Sequence, residues 1–177
     1  MLAGAAFFTT MHLAWLPRHL EDIDSINFAL ALRDYDIASH QPHPPGYPVF
    51  VALARLIDGG LSPWLHDEPT RAVVAMALLA AAAAIVALLA LYGILGELDR
   101  TRTGAPVSTA WPAIAVAATA SAPLFWVTAA RPLSDMAGLA GALGCQWLLL
   151  RGARVGARLR DGMAAAAACG VAVSSIP

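Results

Sequence analysis

Three carboxylates crowd the stretch EDIDS, at Glu21, Asp22 and Asp24. Carboxylates this close can share a divalent cation through their oxygens. Alternatively, one can act as general base on an acceptor hydroxyl. The same residues also serve a plain structural purpose, solvating a loop and capping a helix. Asp34 and Asp36 in RDYD flank a helix end and read as solvated acids. His40 and His43 form an H-x-x-H, but Pro42 between them argues against a helix presenting both on one face. Zinc needs three or four ligands and no cysteine is near. Asp22, Asp24 and His40 are therefore weak metal candidates, and a hydrogen-bonding role suits the histidines better. A second reactive pair lies in RPLSD: Arg131 and Asp135 are within helical reach, either as a local ion pair closing a turn or as a site. In the site reading Arg131 grips an anionic phosphate, for which the planar guanidinium fork is suited, and Asp135 points into the same space.

These residues need elements to hold them. The spacing predicts a helix over Asp22–Arg33, with Ile23, Ile26 and Leu30 on one face and Glu21, Asp24 and Asn27 on the other. Asp22 and Asp24 are its two candidate N-caps. Between this helix and the apolar run after it stands HQPHPPGYP, His40–Pro48, whose prolines make a rigid joint of low ordering entropy. A second short helix is expected from Pro48 to Ile57, ended by Gly59-Gly60 and too short to span, lying in the interface or partly re-entering. An irregular segment of this length is uncommon unless it has structure and function.

The surroundings of this segment are apolar. Hydrophobic residues make up 59% of the chain and charged ones 13%, which points to a membrane protein. Ala72–Ile94 and Ala110–Ala130 carry no charge, and Pro132–Leu150 carries only Asp135. Met1–Leu16 reads as a first span; a cleaved signal peptide is the rival, though a basic start and a clear cleavage site are lacking. The expected fold is an all-α membrane protein of about four transmembrane helices plus a partial fifth. Its spans fall at about 1–17, 72–97, 110–130, 132–150 and, incomplete, 162–177, with a structured external loop at 18–71.

All eleven basic side chains are arginine. Arg100 and Arg102 follow the second span, and Arg151, Arg154, Arg158 and Arg160 follow the fourth. By the positive-inside rule these loops are cytoplasmic, which puts the N-terminus inside and the acidic loop outside. No basic stripe interleaved with aromatics suggests nucleic acid. Cys145 and Cys169 lie in apolar spans with no CxxC pattern, and read as small apolar packing residues. Alanine-rich runs suit closely approaching helices.

The order of motifs, DSINFALAL, then HPPGYPVFVALARL, then an alanine-rich span and RPLSD, resembles the GT-C superfamily of membrane glycosyltransferases. The nearest flavour is the protein O-mannosyltransferase-like branch, with a D-S-x-x-F…H-P-P-G-x-P pattern. The resemblance covers the N-terminal part of such an enzyme. It implies a polyprenyl-phosphate-linked sugar as donor and an acceptor protein or glycan on the external face of the membrane; the all-arginine, alanine-rich usage points to a bacterial inner or plasma membrane. It implies Asp24 as the catalytic acid, deprotonating or orienting the acceptor hydroxyl as its oxygen attacks the anomeric carbon with inversion. An arginine or a possible divalent cation would stabilise the leaving phosphate. Asp22 and Asp135 would shape the site or a metal; His43 and Tyr47 would line it near the phosphate or sugar. Asn27 stands where relatives often place Glu. Relatives of this kind usually have more spans, so a truncated frame is expected, with a minimal subunit as the other explanation. The reading from a different class is a non-enzymatic integral membrane subunit for transport or assembly, whose acidic loop gathers cations or a partner.

Overall fold

The computed structural model describes residues 2–103 and 110–153, together with Gly162, Ala167, Cys169 and Gly170. Among them are seven helices and no strand: α1 (Leu2–Ala14), α2 (Ile23–Ala31), α3 (Pro48–Leu61), α4 (Glu68–Thr103), α5 (Ala110–Ser121), α6 (Pro123–Ala130) and α7 (Asp135–Gly152). A single isolated bridge pairs Asp36 with Gln41.

α4 is the axis. Its 36 residues reach about 54 Å at 1.5 Å per residue. Alanines line its buried side, among them Ala75, Ala77, Ala80, Ala84 and Ala87, and these small side chains let neighbouring helices come close. α7 packs most extensively along it, and α1, α2, α3, α5 and α6 also touch it. Two cores result. One joins Phe8 of α1, Ala80, Ala84 and Ala87 of α4, Ala129 of α6 and Met136 of α7. The other joins Phe28 of α2, Tyr47, Phe50, Val51 and Ala54 to Met76 and Leu79 of α4. His12 ties α1 to α6 within the first core, its Nδ1 2.8 Å from the Phe8 carbonyl and its Nε2 3.2 Å from that of Trp126.

The all-helical expectation holds, but the expected count of spans does not. Among the described residues one helix, α4, is long and apolar enough to cross a bilayer, or two if α5 and α6 count as one broken span. The reasons are local. α1 has 13 residues, about 20 Å, against a hydrocarbon core of about 30 Å. The run Ala110–Ala130 is not continuous: Pro123 lacks an N–H and pushes Ala122 into an extended conformation, and the two halves bend by 65°. α7 contains Asp135 and Arg151 at its ends and several glycines between. The expected fifth span at 162–177, and Arg154, Arg158 and Arg160, lie almost wholly outside the described residues.

Two further expectations need correction, and the structure adds which face of α2 is buried. α2 turns Phe28, Ala31 and Ser25 inward, while Ile23, Ile26 and Leu30 are exposed. The winning face is the one that lets Phe28 meet Tyr47 and Phe50 edge-on, both with ring centroids 5.0 Å away; such pairs add about 0.5–1.5 kcal/mol beyond burial. α3 does begin with Pro48 at its first turn but runs through Gly59 and Gly60 to Leu61. Finally, Cys145 and Cys169 are joined by a disulfide rather than packing as separate apolar side chains.

Candidate functional site

The site grows from the start of α2. Asp22 is extended, with φ −136° and ψ 162°, and its Oδ1 accepts from the Ser25 N–H at 2.7 Å. Ser25 answers through its hydroxyl, which accepts from the Asp22 N–H at 3.4 Å and donates to the Asp22 carbonyl at 2.8 Å. This reciprocal cap satisfies donors that a helix otherwise leaves orphaned. Of the two candidate caps, Asp22 is the one used. Its other oxygen, Oδ2, accepts from the Arg131 guanidinium at 2.8 Å. Burial pushes the Asp22 carboxyl up, but the Ser25 N–H, the Arg131 guanidinium and the Ser25 hydroxyl outweigh it and hold the acid below its ordinary value of 3.8.

The Asp22–Arg131 pair docks α2 onto the turn between α6 and α7. Arg131 sits at the end of α6 in an extended conformation, and Asp135 opens α7. Local spacing made Asp135 the natural partner of Arg131; the guanidinium reaches instead to an acid 109 positions earlier. Nothing in the sequence pattern signals this.

Asp24, in the first turn of α2, is half exposed, and its Oδ1 lies 3.5 Å from Nδ1 of His43. That nitrogen is shielded from solvent, and the approach lacks hydrogen-bond alignment. The other His43 nitrogen, Nε2, is 3.0 Å from the Tyr47 hydroxyl. Tyr47 is 2% exposed and takes a left-handed backbone with φ 46° just before Pro48. A bulky residue rarely adopts that conformation; here the aromatic cluster with Phe28 and His43 holds it. Gly46, at φ 95°, prepares the turn. Burial raises the Tyr47 phenol, and the charges of Asp24 and then Asp135 raise it further. Carboxylates from α2 and α7 thus act on one phenol.

Asn27 lies one turn beyond Asp24 on α2, partly buried. His40 stands apart, exposed in the turn closed by the Asp36–Gln41 bridge, with φ 57°. Asp36 is turned to that loop, its carboxylate accepting from the Ala38 N–H at 2.9 Å and from the Ser39 hydroxyl. The weak metal candidates are not gathered: Asp22 is committed to Ser25 and Arg131, and among the described residues no three His, Cys, Asp or Glu side chains form a metal-binding group. These residues do not fit a divalent cation.

The site is therefore a row of side chains on the rim of the second core: Asp22 with Arg131, and Asp24 with His43 and Tyr47, with Asp135 nearby. It offers one half-exposed carboxylate backed by an imidazole, and one guanidinium whose remaining N–H groups have no partner among the described residues. No curated protein and no solved structure matches the chain. Residues 36–134 match the family described as Protein O-mannosyl-transferase TMEM260 N-terminal domain, a stretch that holds His43, Tyr47 and Arg131 and begins after Asp24. That match spans more than half of the 177 residues, and the chain belongs to the family of this N-terminal domain.

Proposed function

We propose that this chain supplies the reacting face of a membrane glycosyltransferase of the GT-C type, moving a hexose, mannose by family, from a polyprenyl-phosphate donor to an acceptor hydroxyl on the outer side. The family match supports transfer of mannose to a protein oxygen, and α4 supports a place in the bilayer. The single observation that carries the site assignment is the half-exposed Asp24 carboxylate beside His43, next to the Asp22–Arg131 pair.

In this reading the acceptor O–H gives its proton to Asp24 while its oxygen bonds to the anomeric carbon. The bond from that carbon to the phosphate oxygen breaks, and both electrons leave with the lipid phosphate. A single displacement inverts the anomeric centre. Arg131 meets the charge growing on the phosphate with the donors that Asp22 leaves free. Asp22 is a positioning residue, holding Arg131 and the α2 terminus. Tyr47, a neutral phenol whose pKa burial raises further, donates its O–H to Nε2 of His43, which puts the imidazole proton on Nδ1 facing Asp24. That tautomer leaves the Nδ1–H 3.5 Å from the Asp24 carboxylate, where it favours the charged acid without an aligned hydrogen bond. Asn27 and Asp135 border the same space for sugar or acceptor hydroxyls.

The test is transfer of labelled mannose from polyprenyl phosphate in membranes holding the whole protein. Loss of a general base costs about 10²–10⁴ in rate, so Asp24→Asn is expected to fall by at least 10² while His43→Gln falls less and is accompanied by an altered pH profile. Full turnover in Asp24→Asn rejects the assignment.

A further inference from the structure

A second opening lies away from Asp24, where the end of α1 meets the start of α4. It is a cleft of about 650 Å³ lined by Leu13, Leu16, Arg18, His19, Thr70 and Val74, a size suited to holding a small ligand. One wall is apolar and the lip is basic. Each of the other arginines at this end has its guanidinium committed. Arg33 pairs with Glu68 at 3.2 Å, Arg71 with Asp58 at 3.0 Å and Arg131 with Asp22 at 2.8 Å, while Arg55 donates to the Ala31 and Leu32 carbonyls. Arg18 and His19 are exposed and form no ion pair among the described residues. Beside the cleft in sequence stand two of the most exposed aromatic side chains, Trp15 at 73% and Trp64 at 77%. One ends α1 and the other precedes α4. Indole rings favour the headgroup level of a bilayer, where one edge is wet and the body is not.

We infer that this cleft seats the headgroup of an anionic phospholipid. Arg18 and His19 donate to the phosphate oxygens, Leu13, Leu16 and Val74 cover the first part of the acyl chains, and Trp15 and Trp64 lie at the headgroup level. The inference rests on the membrane-spanning reading of α4, not on the transfer chemistry. The lipid is a bound component distinct from the sugar donor, and it sets the depth at which α2 and α3 ride.

The test is lipid retention by the whole protein in detergent, read by native mass spectrometry with phosphatidylglycerol, phosphatidylcholine or polyprenyl phosphate added. Phosphatidylglycerol is expected to be retained over phosphatidylcholine. One basic side chain at an anionic surface contributes about 1 kcal/mol, so Arg18→Gln is expected to cut that preference about fivefold, and adding His19→Gln to remove it. Arg33→Gln, which removes an equal charge already paired with Glu68, is expected to leave it intact. Because Arg18 is exposed and forms no ion pair among the described residues, its loss should not unfold the chain. Equal loss in Arg33→Gln reduces the effect to net charge and overturns the inference, as does unchanged preference in Arg18→Gln. Competition by inorganic phosphate alone, or displacement of phosphatidylglycerol by polyprenyl phosphate at equal mole fraction, also overturns it, because the cleft would then be a simple anion site or part of the donor site. None of these readouts depends on sugar transfer.

Discussion

Replacing Asp22 separates two jobs that one side chain performs. Its Oδ1 caps α2 through Ser25 and its Oδ2 holds Arg131, both in close geometry. Losing an N-cap costs about 0.5–2 kcal/mol, most often near 1. The ion pair is 28% exposed on the Asp22 side and 45% on the Arg131 side, so screening limits it to at most about 1 kcal/mol. Asp22→Ala loses both and is expected to cost about 1–2 kcal/mol. Asp22→Asn keeps a good cap and loses only the charge, for less than about 1 kcal/mol. In a chain of this size 1 kcal/mol moves Tm by roughly 2–4 °C. Thermal unfolding of Asp22→Asn, Arg131→Gln and the double variant in one detergent gives the pair's coupling, expected at about 0.5–1 kcal/mol. Its pH dependence has a fixed sign. The folded pKa lies below 3.8, so this stabilisation is complete above the unfolded value and fades as pH drops through the folded one. Wild type should therefore lose its advantage over Asp22→Asn only below about pH 4. Zero coupling, or an advantage that disappears near neutrality, refutes the docking of α2 onto the α6–α7 turn.

Two glycines offer sharper steric tests. At Gly46, with φ 95°, a Cβ would come 2.5 Å from the Tyr35 hydroxyl and 2.6 Å from Ile37 Cδ1, so Gly46→Ala is expected to lower stability by about 1–3 kcal/mol and to disturb Tyr47, seen as a changed phenol titration. At Gly93 a Cβ would enter the indole of Trp147. Helix propensity favours alanine there by about 1 kcal/mol, yet overpacking costs about 1–3, so Gly93→Ala should lower Tm and Trp147→Leu in the same chain should recover part of the loss.

What was readable in the chain was local. An aspartate capping α2, Pro48 opening a helix and a non-helical proline-rich segment between them follow from properties of single residues and their neighbours, and all three are present. The break at Pro123 is just as local, yet an uncharged run reads as one span whatever proline it contains. The buried face of α2 is not legible in the sequence for a different reason. Ile23, Ile26 and Leu30 have the right period, but the choice of face depended on Phe50 and Tyr47, which arrive from another helix. The same holds for Arg131, whose local partner by spacing was Asp135 and whose actual partner is Asp22, and for the Cys145–Cys169 bond, which spans 24 positions.

The distinction bears on the site itself. The family match starts at residue 36, so its range covers the positions of His43, Tyr47 and Arg131 and not those of Asp22 and Asp24. What joins the two groups is a set of contacts that cross that boundary: Asp24 to His43, Asp22 to Arg131, and the influence of both Asp24 and Asp135 on Tyr47. Acids that only capped α2 and solvated a loop would account for Asp22 on Ser25 and leave the approach of Asp24 to His43 without a reason. A site assembled from α2, the proline joint and the α6–α7 turn would need each of these contacts, since none of the three elements alone supplies a base, an orienting imidazole and a phosphate-binding cation.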